Sequence, residues 1–136
     1  MIISQLYQIL FELFENTINE QHDDGSFGDS YFKNSPFYTG LMVLTIINFK
    51  NANSLQLYNN QLNNAVRYLL KSQMEDGSWL QTNAMKLPFP DDIHSFDKNW
   101  KVAEFGCNVR APEYNRLFTS SVCLKAIYEY YKLYEH

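Results

Sequence analysis

The residues best suited to chemistry sit in one stretch, PFPDDIHSFD, residues 88–97. It brings three carboxylates, Asp91, Asp92 and Asp97, close to His94. An aspartic acid in apolar surroundings keeps its proton to higher pH, and beside a histidine it can act as a strong general acid. Asp91, Asp92, Asp97 and His94 are therefore the candidate catalytic residues. Trp100, Arg110 and Arg116 follow shortly after as candidate substrate contacts. The C-terminal run IYEYYKLYEH adds Tyr128 and Tyr131 as possible walls of an apolar cavity. Indole and phenol faces attract a developing cation through the ring quadrupole. Each feature has a plainer reading. Asp91-Asp92 behind two prolines also suits a solvated loop or a helix cap. Arg110 and Arg116 could pair with Glu113 or with surface carboxylates. A tyrosine stripe at helical spacing is also what a core or an oligomer contact looks like.

The ordinary ligand patterns are missing. His94, Asp97 and Cys107 have zinc-ligating side chains, but their spacing matches neither Cys-x-x-Cys nor His-Glu-x-x-His, and no metal or cofactor is expected. No glycine-rich phosphate loop is present. Cys123 falls on the apolar face of a helix and reads as core.

The elements that must position these residues are written twice. QHDDGSF, residues 21–27, returns as QMEDGSW, residues 73–79. With Gln21 set on Gln73, Leu10, Phe14 and Ile18 fall on Leu62, Val66 and Leu70. These apolar residues are four apart, as one face of a helix requires. Residues 2–20 and 58–73 read as amphipathic helices, each ended by the repeated segment. Gly25 and Gly77 suit the positive φ of a chain leaving a helix. Asp24 and Asp76 precede them as a turn dipeptide. Ser35-Pro36 reads as an N-cap followed by proline at the first helical position, with a helix to about residue 50. Its counterpart is 117–134. If Thr39 matches Thr119, the second copy carries roughly 28 additional residues, mostly within 80–116, and long loops of this kind often hold function. The expected organisation is a single domain, 1–136. Repeat one covers 1–50, and repeat two covers 56–136 with the insertion at about 80–116. No sheet is expected, although FGCNV at 105–109 could be extended.

Whole-chain properties narrow the classes. A chain of 136 residues with 16% aromatics can form one packed core. A net charge of −4, with both signs interspersed, argues against nucleic acid as a partner. No run approaches the ~18 apolar residues of a membrane span. Two cysteines make no disulfide framework, and a cytoplasmic location is expected.

RYLLKSQMEDGSW, Arg67 to Trp79, resembles the QW repeat of squalene–hopene and oxidosqualene cyclases. NTINEQHDDGSF is a second, weaker copy in which Phe27 takes the place of tryptophan. The helix-pair unit is shared with protein prenyltransferase β subunits. The resemblance implies an all-α fold built of two helix-pair repeats of the α/α-toroid type, with a long loop in the second. It also implies that Gln21 and Gln73 tie off helix ends and that Phe27 and Trp79 stack on them. Amide groups can satisfy terminal backbone atoms in this way. The Asp-x-Asp-Asp acid of the cyclases is absent, and residues 88–97 hold the nearest acidic cluster. Two readings follow. One is an enzyme or enzyme subunit that acts on an isoprenoid or other apolar small molecule by acid-initiated chemistry. The other is a non-catalytic binding or assembly module that completes a ring as a homo-oligomer or with a partner subunit.

Overall fold

The computed structural model describes residues 2–28, 33–53, 58–82, 85–87, 101–104, 106–107 and 109–135. Four helices dominate: α1 (Ile2–Ile18), α2 (Pro36–Asn53), α3 (Asn59–Ser72) and α4 (Leu117–Lys132). α1 and α3 fall where the apolar periodicity places them, α2 where Ser35-Pro36 starts it, and α4 where its counterpart was matched. The chain is mainly α-helical, with one small addition. Strands β1 (Met85–Leu87), β2 (Lys101–Val102) and β3 (Val109–Ala111) form a sheet in the order β1-β3-β2. β1 runs antiparallel to β3, with Met85 opposite Ala111, and β2 runs parallel to it. This corrects the expectation of no sheet. Strands of two or three residues are too short to leave an alternating pattern in the sequence.

The repeated segments make the same turn twice. In the first, the Gly25 N–H donates to the His22 carbonyl at 2.9 Å and the His22 N–H to the Ser26 carbonyl at 3.0 Å. In the second, Gly77 donates to Met74 at 2.9 Å and Met74 to Ser78 at 2.8 Å. Asp24 Oδ1 accepts from the Ser26 N–H and hydroxyl at 2.9 and 2.6 Å. Asp76 does the same for Ser78 at 3.0 and 2.5 Å. The glycines take φ values of +89° and +81°, open to residues without a Cβ.

The glutamines have a different role from the one the resemblance implies. Each amide closes its own turn: Gln21 Nε2 donates to the Gly25 carbonyl and Gln73 Nε2 to the Gly77 carbonyl, both at 2.9 Å. Gln21 also donates to the Gln61 carbonyl of α3 at 2.9 Å, which joins the two repeats. The helix end is tied off by the aromatic residue instead. Trp79 is fully buried, and its indole N–H donates to the Leu69 carbonyl in the last turn of α3 at 2.8 Å. Phe27 has no such donor.

The central packing is α2 on α4. Gly40 lets the backbones approach closely, since a Cβ there would lie 2.9 Å from Val122 Cγ1. The Cys123 thiol donates to the Pro36 carbonyl at 3.4 Å. α3 buries Leu62, Ala65, Val66 and Leu69. α1 buries Phe14 and Ile18, with Phe14 stacked on Phe49 of α2 at 4.2 Å. Leu10 and Leu70, aligned above with the apolar faces, are exposed. α1 and α3 therefore do not bury the same stripe: Leu62 is buried where its counterpart Leu10 is exposed, and Ile18 is buried where Leu70 is exposed.

Candidate functional site

Local rules set where α2 and α4 begin, and the packing of α2 on α4 brings the two starts side by side. Ser35 Oγ accepts from the Tyr38 N–H at 3.3 Å, the N-cap contact, with Pro36 at the first helical position. In the second repeat Glu113 caps the helix. Its carboxylate accepts from the Thr119 N–H at 2.7 Å, from the Thr82 N–H at 3.0 Å and from the Thr119 hydroxyl. Asn115 and Arg116 enter α4 with positive φ, 47° and 60°.

Between these helix starts and β3 lies a groove of about 890 Å³. Phe37, Tyr38, Leu117, Phe118 and Tyr114 give it mainly apolar walls. The Phe37 and Phe118 rings pack 5.5 Å apart. Thr82 lines the groove and is buried, and its Oγ1 has no hydrogen-bond partner among the described residues. A buried hydroxyl left unsatisfied costs about 1–3 kcal/mol. Glu113 also faces the groove, but its oxygens are committed to the cap.

The residues singled out in the sequence have separate fates. Asp91, Asp92, His94, Asp97 and Trp100 lie outside the described residues. Arg110 is on β3 with its side chain buried. Arg116 pairs with Asp76 of the second turn at 3.2 Å, rather than with Glu113. Its Nη1 also lies 2.9 Å from Met74 Sδ. Tyr128 and Tyr131 are exposed on α4 and do not line the groove. Thr82, Phe37 and Phe118 were not singled out in the sequence, and Glu113 stood there only as a partner for the arginines. The signal available for them was the proximity of Glu113 and Phe118 to a helix start.

A second, more polar cleft of about 380 Å³ is lined by Asp23, Asp24, Arg67, Tyr68 and Lys71, among others. Tyr68 donates to the Asn34 carbonyl at 2.9 Å, and burial together with the Asp24 charge pushes its phenol up to about 12. Partial burial works to raise the Asp24 carboxyl. The hydrogen bonds from Ser26 and Asn34 outweigh it and hold the group below its ordinary value. Asp76 is held low by its hydrogen bonds from Ser78 and by Arg116. Burial pushes the Cys123 thiol up to about 12, which makes it an inert core group.

Among the described residues no group of three His, Cys, Asp or Glu side chains is placed to hold a metal ion. No described helix is long and apolar enough to cross a membrane. Comparison with protein-family models, curated proteins and solved structures gives no match.

Proposed function

We propose that the chain binds an apolar small molecule of the isoprenoid type, carrying one terminal oxygen, in the groove between the starts of α2 and α4. The observation that carries this reading is the unpartnered Thr82 hydroxyl set in a wall that is otherwise largely aromatic and aliphatic. Apolar walls with a single polar anchor are what hold and orient such a molecule. The squalene-cyclase and prenyltransferase-like helix-pair repeat, of the α/α-toroid kind, supplies the scaffold. Acid-initiated chemistry on the bound molecule falls to Asp91, Asp92 or Asp97, with His94 beside them, since Glu113 serves the α4 cap. Both cysteines are free thiols, which suits the reducing, cytoplasmic compartment in which we place the protein.

Calorimetric titration with farnesol tests the site. Saturable binding is expected, weakened at least ~10-fold in Phe118→Arg and by a smaller factor in Thr82→Val. Absence of saturable binding, or binding that ignores both substitutions, overturns the assignment. A second assay follows consumption of an isoprenoid double bond. Loss of turnover in Asp91→Asn, Asp92→Asn or Asp97→Asn with farnesol affinity intact separates catalysis from binding.

A further inference from the structure

The internal repeat supplies its own reference for what each helix face does. With Gln21 on Gln73, Leu10 and Leu13 of α1 correspond to Leu62 and Ala65 of α3. Leu62 and Ala65 are 0% exposed, in a helix that packs against α2 of the preceding repeat. Leu10 and Leu13 are 55% and 58% exposed. The other end of the array shows the converse. With Thr39 on Thr119, Leu117 and Leu124 of α4 correspond to Phe37 and Leu44 of α2. Phe37 is 8% exposed and Leu44 is partly buried against the core, whereas Leu117 and Leu124 are 68% and 55% exposed. Each end thus bares surfaces that the middle of the chain keeps covered.

We propose that copies of this chain associate head to tail, with the α4 end of one copy packing on α1 of the next and repeating the seam that joins the two repeats within a chain. Each stripe is continuous along its helix. Leu117, Leu124, Tyr128 and Tyr131 are spaced seven, four and three apart, and Leu6, Leu10 and Leu13 four and three apart, so each set lies along one side of its helix. The two stripes suit each other in charge. α1 carries Glu12 and Glu15 and no basic residue, while α4 carries Lys125, paired with its own Glu129 at 2.5 Å, and Lys132, a net positive charge. Pairing α1 with α1 would oppose like charges; pairing α4 with α1 opposes unlike ones. The contact is heterologous, since two different surfaces meet, so one copy's α4 stripe remains available when its α1 stripe is filled. Leu117 belongs to both the stripe and the groove wall, whereas Leu124, Tyr128 and Tyr131 lie outside the groove lining, so a change at Leu124 reads the seam apart from the groove.

Sedimentation equilibrium of the whole chain tests it. The unmodified protein is expected to self-associate. Leu10→Asp/Leu13→Asp and, separately, Leu124→Asp are each expected to weaken association by about 100-fold while far-UV circular dichroism stays unchanged, because these side chains are exposed in the single chain. Should aspartate unravel α1, Leu10→Gln/Leu13→Gln reads the same seam with good helix formers. The direction of assembly is read by mixing. The α1-altered and α4-altered copies, each monomeric alone, are expected to form a one-to-one complex together, through the one intact pair of stripes. The proposal is overturned if the unmodified chain shows no association tighter than a Kd of about 1 mM. It is equally overturned if either altered copy associates like the unmodified one, or if the mixture stays monomeric.

Discussion

Alanine at Gly25 and at Gly77 should have very different costs, although the two turns share the same local design. Both glycines sit at positive φ, +89° and +81°. Alanine pays about 1–2 kcal/mol for that conformation. It recovers about 0.4–1 kcal/mol by restricting the unfolded chain. The net local cost is therefore about 1 kcal/mol at either site. At Gly77 nothing is added, since the new Cβ would have Gln73 Nε2 at 3.9 Å as its nearest neighbour, an ordinary contact. At Gly25 the Cβ would lie 2.3 Å from the Asn64 carbonyl oxygen and 2.6 Å from its carbon. Those atoms belong to the backbone of α3, which cannot rotate aside as a side chain does. The turn must move off α3, which strains the Gln21 bond to the Gln61 carbonyl, worth about 1 kcal/mol. Overpacking adds about 1–3 kcal/mol. Gly25→Ala should thus destabilise by about 3–5 kcal/mol and Gly77→Ala by about 1 kcal/mol. Against a typical domain stability of about 5–15 kcal/mol the first is severe. Urea denaturation followed by far-UV circular dichroism, with the slope compared between variants, gives both values. If the two substitutions agree to within about 0.5 kcal/mol, the docking of the first turn on α3 is wrong.

Trp79→Phe, which installs the first repeat's aromatic class in the second, should cost about 1.5–3 kcal/mol by urea denaturation, from the lost bond to the Leu69 carbonyl and the smaller ring. The cost is limited because the Ser72 hydroxyl still donates to that carbonyl at 3.1 Å. Gln21→Ala should lower stability by about 2 kcal/mol, and Gln73→Ala, with one acceptor on an exposed turn, by about 0.5–1 kcal/mol; equal losses in the same measurement would contradict the link from Gln21 to α3. The Asp24 carboxyl is depressed in the folded chain below its ordinary 3.8, so the unfolded chain takes up the proton first as pH falls. Its contribution is therefore present above about pH 4 and is lost as pH falls through the lower folded value; Asp24→Asn should flatten that part of the stability profile in an acid titration.

Much of the helical frame was legible. The Gln-x-x-Asp-Gly-Ser repeat located both turns, and the Ser35-Pro36 pair located the start of α2. Those signals act within a few residues, so sequence distance is a fair guide to them. The apolar alignment was less faithful. It gave Leu10 and Leu70 the same standing as Phe14, whereas both are exposed. Periodicity tells that a helix has an apolar stripe but not how many neighbours cover it. The small sheet went unread because its strands are short and pair across the insertion. The groove was read least well. Its walls come from helix starts in different repeats, and Glu113 earns its place by reaching both Thr82 and Thr119. The acidic cluster of residues 88–97 lies outside the described residues.

The sequence alone determined the four helices, the two matching turns and the need for glycine in each, because caps, i-to-i+4 stripes and backbone conformation are set by near neighbours. Tertiary structure decided what those elements are for. It put the indole of Trp79 on the last turn of α3, gave the glutamine amides to their own turns and to α3, and brought the starts of α2 and α4 together around Thr82. It also left the outer stripes of α1 and α4 bare. Coverage depends on which helix stands beside which, and residues tens of positions apart carry no mark of that until the chain has packed.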